Sequence, residues 1–239
     1  MTSVRVPNFV PTQRGFHFSN SWPPNPIRSF KLGNVATLNI GDAANGLCGG
    51  MSFTIRDMHE FGVIPPPDGT PPPGGSARFD YVVSRQIDSF ENGVVPLRFF
   101  KLMDPDRPAK EPVWAELLGR FGVDRHSRTW VTTKVEWPAI QKDIDGGKLA
   151  PIGLVKIVGR DPNLLGHNHQ VLGYGYDLDG TKVKILIYDP NYPNDDNVTL
   201  SFDIGDPRAA ATPVWSKAGE SVFCIFRAPY VKHDPTPFR

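Results

Sequence analysis

The sequence has few cysteines, since Cys48 and Cys224 are the only two among 239 residues. Two cysteines cannot form the disulfide framework that stabilises many small secreted proteins. A disulfide bond between these two would also remove the free thiol of Cys48, and the residues around Cys48 indicate that this thiol is reactive. We therefore expect both cysteines to be free, in a reducing compartment.

Long apolar runs and a strong excess of charge are also missing from the sequence. No run approaches the roughly 20 apolar residues that a membrane-spanning helix needs. The formal net charge is +1 with histidine neutral, so nothing indicates a nucleic-acid or anionic membrane partner. Residues 1–16 lack the apolar core of roughly 7–15 residues that a secretory signal carries. We expect a cytoplasmic protein without nucleic-acid or membrane partners.

The chain carries the apolar periodicities of a globular protein, and the period changes near residue 148. Helical periodicity comes first and predicts helices at 48–61, 78–91, 112–121 and 137–145. Strand-like segments follow at 151–158, 169–177, 182–189, 197–204 and 221–228. Asp179-Gly180, between two of these strands, predicts a tight hairpin. Helices followed by strands indicate an α+β fold in which a helical lobe packs against an antiparallel sheet.

This arrangement predicts one domain over residues 1–239. Residues 46–147 form its mainly helical lobe, and residues 148–239 form its mainly β lobe. Residues 1–45 contain five prolines, and we expect them to be extended and irregular. A second Pro-rich stretch, 64–76, predicts a loop or lid without regular structure.

A candidate nucleophile stands at the start of the first predicted helix, in the segment Asn45-Gly-Leu-Cys-Gly-Gly-Met51. A helix N-terminus stabilises a thiolate, because its free N–H groups and the helix dipole favour negative charge there. We expect the glycines around Cys48 to leave room for a substrate backbone. Cys224 lies within the apolar strand SVFCIF, so we expect it in the core.

A base for this thiol is available on the second predicted strand, where either His167 or His169 is placed at the sheet end. His169 directly precedes the apolar run, and Asp189 ends the next strand across the hairpin, so the two are expected to be neighbours. Asp189 before Pro190 is also ordinary turn chemistry, and Asn191 is the alternative orienting group. The His-x-His pair alternatively suggests a metal site, although a third ligand at fixed spacing is missing.

The segments around these residues resemble the papain-like cysteine peptidases, and the bacteriocin-leader-processing (double-glycine) branch most closely. CGGMSFTIRDMHEFG is similar to the nucleophile helix of that branch, and GHNHQVLGYGYD followed by ILIYDP is similar to its His and Asp strands. WPAIQKDIDGGKLAPIGLV resembles the helix, Gly turn and strand that precede the His strand there. The resemblance covers about residues 45–62 and 136–191.

The resemblance implies a papain-like fold and a hydrolase that cleaves a peptide or isopeptide bond through an acyl-enzyme. By this resemblance Cys48 is the nucleophile, His169 the general base and acid, and Asp189 the orienting residue. The family usually has a Gln six residues before the cysteine as an oxyanion-hole donor. Asp42 stands there, so Asn45 would take that role beside the Cys48 backbone N–H.

This resemblance implies a peptide or protein substrate, and no cofactor or metal. The same chemistry also permits acyl transfer to an amine. Because Asp42 replaces the expected Gln, an alternative is a papain-like binding module that has lost turnover. A zinc-dependent hydrolase that uses His167 and His169 is a third alternative.

Overall fold

A computed structural model describes residues 1–22, 28–32, 36–40, 46–112, 126–209, 212–217 and 222–239, and only the backbone at 28–32 and 36–40. Within these ranges the chain combines helices with one large curled antiparallel sheet and a separate two-stranded hairpin, which confirms the predicted α+β class. None of the described helices is long and apolar enough to cross a membrane. The helix predicted at 112–121 lies almost entirely outside the described residues.

Seven of the described strands form the main sheet: β1 (Thr2–Arg5), β4 (Ala150–Val155), β5 (His169–Asp179), β6 (Lys182–Tyr188), β7 (Thr199–Asp203), β8 (Val214–Trp215) and β9 (Cys224–Arg227). Their order is β8-β7-β6-β5-β4-β9, and β1 pairs with the outer half of β5. A separate hairpin consists of β2 (Arg28–Leu32) and β3 (Ala36–Ile40). The five predicted strands are confirmed with shorter or shifted ends, and the turn after Asp179 is the predicted hairpin, with Gly180 at φ 58°.

The helices lie mainly between residues 48 and 145. They are α1 (Pro11–Arg14), α2 (Cys48–Glu60), α3 (Ala77–Asp88) and α4 (Val94–Met103), followed by one helical run. That run is α-helical at Arg128–Trp130, π-helical at Val131–Glu136 and α-helical at Trp137–Asp145. The stretch 64–76 has no helix or strand, as predicted. Helix α3 ends earlier than the predicted residue 91, because the chain turns into left-handed backbone at Glu91 and Asn92.

The N-terminal segment is more regular than its prolines suggested. Strand β1 joins the main sheet, and the backbone N–H of Val6 continues the pairing by donating to the carbonyl of Tyr174 at 2.8 Å. The large apolar side chains of the N-terminal segment are buried in the main core, namely Phe9, Phe16, Phe18 and Trp22. Residues 1–22 are otherwise extended or irregular, and the four-residue helix α1 is the exception.

Helix α2 is held against α3 and the C-terminal segment by a buried carboxylate. Asp57 accepts a hydrogen bond from Nε of Arg85 at 2.6 Å, and both side chains are almost fully buried. The hydroxyl groups of Tyr81 and Tyr230 also donate to Asp57, at 2.9 and 2.6 Å. A buried ion pair is tolerated when such additional hydrogen bonds satisfy its charges. This cluster fixes the helix whose first residue is Cys48.

Helices α2 and α3 approach closely at Gly50. A Cβ atom at this position would lie 2.3 Å from the carbonyl oxygen of Val82 and 3.0 Å from Cβ of Gln86. The backbone N–H of Gly50 donates to Oε1 of Gln86 at 2.8 Å, so the contact is also hydrogen-bonded. The absence of a side chain at Gly50 therefore sets the distance between the two helices.

We predict that Gly50→Ala lowers the free energy of unfolding by about 1–3 kcal/mol, because the added methyl group overpacks the contact with Val82. The higher helix propensity of alanine offsets about 1 kcal/mol of the strain. Gly74→Ala is the matched control, since a Cβ there meets no atom within 4 Å. Chemical denaturation checks both variants, and an unchanged stability of Gly50→Ala would contradict the packing argument.

Candidate active site

The structure brings Cys48, His169 and Asp189 together. Cys48 is the first residue of α2, His169 is the first residue of β5, and Asp189 follows the last residue of β6. Nε2 of His169 donates to Oδ1 of Asp189 at 2.7 Å, and the Cys48 thiol is hydrogen-bonded to the His169 ring. Cys48 is half-buried, while His169 and Asp189 are 4% and 0% exposed.

A β-bulge in β5 places Asp189 on the same face of the sheet as His169. Pairing runs from Asp179 with Lys182 as far as Gly175 with Leu186, and then shifts by one residue so that Gly173 faces Ile187. In an unbulged hairpin Asp189 would stand opposite Leu172, whose side chain points away from the face of His169. The extra residue in β5 shifts the register by one, so that the side chain of Asp189 lies on the same face as that of His169. The two residues are then diagonal neighbours on paired strands, close enough to form their hydrogen bond.

The surroundings of the Cys48 sulfur favour the thiolate. Burial alone would raise the pKa of this thiol, but the hydrogen bond and the charge of His169 lower it more. The backbone N–H groups of Gln170 and Gly49 also donate toward the sulfur and lower the pKa further. The net result is a thiol pKa below its ordinary value, as expected for a reactive cysteine.

The electrostatic environment of His169 favours the imidazolium. Burial alone would lower the pKa of this histidine, but the charge and hydrogen bond of Asp189, together with those of Cys48, raise it to about 10. Because Nε2 is bonded to Asp189, Nδ1 is the ring nitrogen that remains for the sulfur. Asp189 is itself held by the backbone N–H of Asn191, which donates to Oδ1 at 2.9 Å. The arrangement supports a thiolate–imidazolium pair around neutral pH.

The glycines next to Cys48 serve packing rather than substrate access, so that expectation was wrong. A Cβ at Gly49 would lie 2.4 Å from Oγ of Ser89 and 2.9 Å from Nε2 of Gln170. A Cβ at Gly46 would lie 2.2 Å from Nδ2 of Asn20. These close approaches let α2 and the residues before it lie directly against their neighbours.

One backbone N–H remains available to hold a negative oxygen. In the first turn of α2, the N–H of Gly50 is bonded to Gln86, and the N–H of Gly49 faces the sulfur. The N–H of Cys48 has no partner within the described parts of the chain. Asn45, the second predicted donor, lies outside the described residues, as does Asp42.

Asn20 is a site residue that the sequence pattern did not reveal. Its Oδ1 accepts from the backbone N–H of Leu47 at 2.8 Å, and its Nδ2 donates to Oδ1 of Asn191 at 3.2 Å. Its own backbone N–H donates to the carbonyl of Pro190 at 2.8 Å. Asn20 thus connects the residue before the nucleophile to the turn after Asp189. No motif near Cys48 points to a residue so far upstream.

Trp215 lies against His169 in the core, whereas His167 lies apart from the site. Trp215 is buried, and its ring centroid lies 5.8 Å from that of His169, so it shields the imidazole from water. His167 is exposed at the end of a 3₁₀ turn, whereas His169 is buried. The two histidines therefore do not converge on a metal ion. No group of three or more potential metal ligands occurs among the residues that the structure describes.

We predict that Cys48 and Cys224 differ strongly in thiol reactivity. The pKa of Cys48 is lowered, whereas burial raises the pKa of Cys224 to about 11. In the folded protein, iodoacetamide should therefore modify Cys48 with a midpoint below the free-thiol value of about 8.5 and leave Cys224 unmodified. Peptide mapping by mass spectrometry across a pH series measures both rates. A Cys48 midpoint at or above the free-thiol value would contradict the ion pair.

Comparisons with known proteins do not place the chain in a family. No protein-family model matches it, and neither the curated proteins nor the solved structures give a significant match. The assignment of a function to this site therefore depends on its geometry and chemistry.

Proposed function

We propose that the protein is a papain-like cysteine hydrolase that cleaves a peptide or isopeptide bond through an acyl-enzyme at Cys48. One observation carries the proposal: a thiol at the start of a helix is hydrogen-bonded to a histidine, and that histidine donates to a buried carboxylate. A nucleophile, a base and a group that orients the base are the parts that nucleophilic catalysis by a thiol requires.

The reaction follows from the charge state of the pair. The Cys48 thiolate attacks the carbonyl carbon, and the carbonyl oxygen becomes a tetrahedral oxyanion that the Cys48 N–H can bind. The His169 imidazolium then donates its Nδ1 proton to the departing amine as the C–N bond breaks. Neutral His169 next takes a proton from water, which attacks the thioester and releases the acid and the thiolate. An amine in place of water would give acyl transfer.

The arrangement of the elements supports the papain-like assignment. The nucleophile starts a helix, that helix packs against an antiparallel sheet, and the histidine and the carboxylate lie on adjacent strands of that sheet. The order along the chain is Cys48, His169 and Asp189, as the resemblance to papain-like peptidases implies. Trp215 packs against the ring of His169. Asn20 accepts a hydrogen bond from the backbone N–H of Leu47, the residue before Cys48.

The alternative, a binding module without turnover, predicts a different thiol. Such a module has no need of a base beside Cys48, and its thiol would titrate at the ordinary value or above. The lowered pKa of Cys48 and the raised pKa of His169 favour the enzyme. Perturbed groups of this kind cluster at functional sites.

We predict that the wild-type protein is acylated at Cys48 by p-nitrophenyl acetate and then turns over. Cys48→Ala should abolish the reaction, because the nucleophile is lost, and His169→Ala should slow it by roughly 10²–10⁴-fold. Stopped-flow absorbance measures the burst and the steady rate, and mass spectrometry locates the acetyl group. A mixed peptide library, analysed for new termini, tests cleavage of amide bonds.

Two matched variants control this experiment. Cys224→Ala removes the buried thiol, and His167→Ala removes the exposed histidine two residues before His169; both should keep the wild-type rate. Full activity of Cys48→Ala, or acetylation at a residue other than Cys48, would rule out the proposed function. A stable acetyl-Cys48 without hydrolysis, together with an uncut peptide library, would favour the binding module.

A further inference from the structure

Lys156 lies beside the candidate active site, and the described residues provide it with no counter-ion. Lys156 directly follows β4, is half-buried, and donates its backbone N–H to Oδ1 of Asn168 at 3.1 Å. Its ammonium lies 4.8 Å from the centroid of the Trp215 ring, and it has no carboxylate partner in the described parts of the chain. Charged groups that lose water on folding are normally paired, so this ammonium is an available binding group.

The register of the sheet places Lys156 on the face of His169. Strand β4 pairs with β5 so that Leu154 stands opposite His169. Because side chains alternate along a strand, Lys156 falls on the same face as Leu154. Trp215 contacts both Lys156 and His169, so two short contacts connect the ammonium to the imidazole.

Two other charged groups near Trp215 already have partners among the described residues, namely Lys217 and Asp189. Lys217 lies 5.9 Å from the ring centroid of Tyr192, next to Trp215, and forms an ion pair with Asp195. The carboxylate of Asp189 is occupied by His169. Lys156, in contrast, keeps a positive charge beside Trp215 that no carboxylate among the described residues neutralises.

We propose that Lys156 binds a carboxylate of the substrate next to the bond that Cys48 attacks. This inference rests on the proposed function, since it names the substrate class of that site: acidic peptides. The carboxylate has two sources, the side chain of an aspartate or glutamate and a free C-terminus. A lysine ammonium acts as a compact point charge and accepts either source without requiring a bidentate geometry.

Three thiol-directed probes with one skeleton test this inference. N-chloroacetyl-glutamine amide is neutral, N-chloroacetyl-glutamate α-amide carries a side-chain carboxylate, and N-chloroacetyl-glutamine carries a free α-carboxylate. We expect at least one acidic probe to alkylate Cys48 roughly three- to tenfold faster than the neutral probe. This advantage should shrink at high salt, because screening weakens the attraction. The faster of the two acidic probes identifies the source of the carboxylate.

Variants of two lysines show whether Lys156 causes the preference. Lys156→Gln should bring the ratio of the acidic-probe rate to the neutral-probe rate, measured in the same variant, down to about one, and Lys156→Arg should restore that ratio. Lys217→Gln is the matched control and should keep the advantage, because that ammonium is already paired. Equal rates for all probes in the wild type, or an advantage that survives Lys156→Gln, would overturn the inference.

Alkylation by the probes and turnover of p-nitrophenyl acetate distinguish a wrong substrate class from a wrong proposed function. Alkylation requires only a reactive Cys48 thiolate, whereas hydrolysis requires acylation and turnover. If p-nitrophenyl acetate is turned over but the probes show no preference, the subsite is wrong and the hydrolase stands. If the preference for a carboxylate depends on Lys156 but no acyl-enzyme turns over, the proposed hydrolase is wrong.

Discussion

The hydrogen bond between His169 and the buried carboxylate of Asp189 is the interaction on which the site depends. A buried imidazole on its own would be neutral, because desolvation disfavours its charge. Asp189 reverses this preference, and the charged imidazolium then lowers the pKa of the Cys48 thiol. The contact between Asp189 and His169, at the ends of two strands, thus favours the thiolate of Cys48 at the start of α2.

The fold brings this contact about through several separate constraints. The bulge in β5 turns Asp189 toward His169, and the buried cluster around Asp57 holds α2 in place. Asn20, from the N-terminal segment, joins the residue before Cys48 to the turn after Asp189. The helix, the sheet and the N-terminal segment therefore contribute to one site, and side-chain hydrogen bonds connect them.

The parts of the fold that follow local rules could be predicted from the sequence. Helix α2 and the hairpin at Asp179-Gly180 have strong periodicity or turn chemistry, and both formed near the expected bounds. Helix α4 was not predicted; its Pro96 lies in the first turn, where proline is tolerated. The bulge was not predicted, because the one-residue shift depends on pairing between strands.

Some residues of the site have a signature in the local sequence, and others take part only through tertiary contacts. Cys48, His169 and Asp189 could be found because each has a local signature, namely a helix start, a strand start and a strand end. Lys156 and Asn20 could not, because their roles arise from tertiary contacts with Trp215 and Leu47. The glycines flanking Cys48 were misread for a related reason, since only the packed structure shows which atoms occupy the space beside them.

The protonation state of His169 tests the central claim most directly. Nitrogen-15 NMR of the imidazole, assigned by comparison with a His169 variant, reports whether both ring nitrogens carry protons. We predict that His169 stays doubly protonated at about pH 8 and titrates with a pKa of about 10, and that Cys48→Ala lowers this pKa. Titration of wild-type His169 near the ordinary histidine value of about 6.5 would contradict the account.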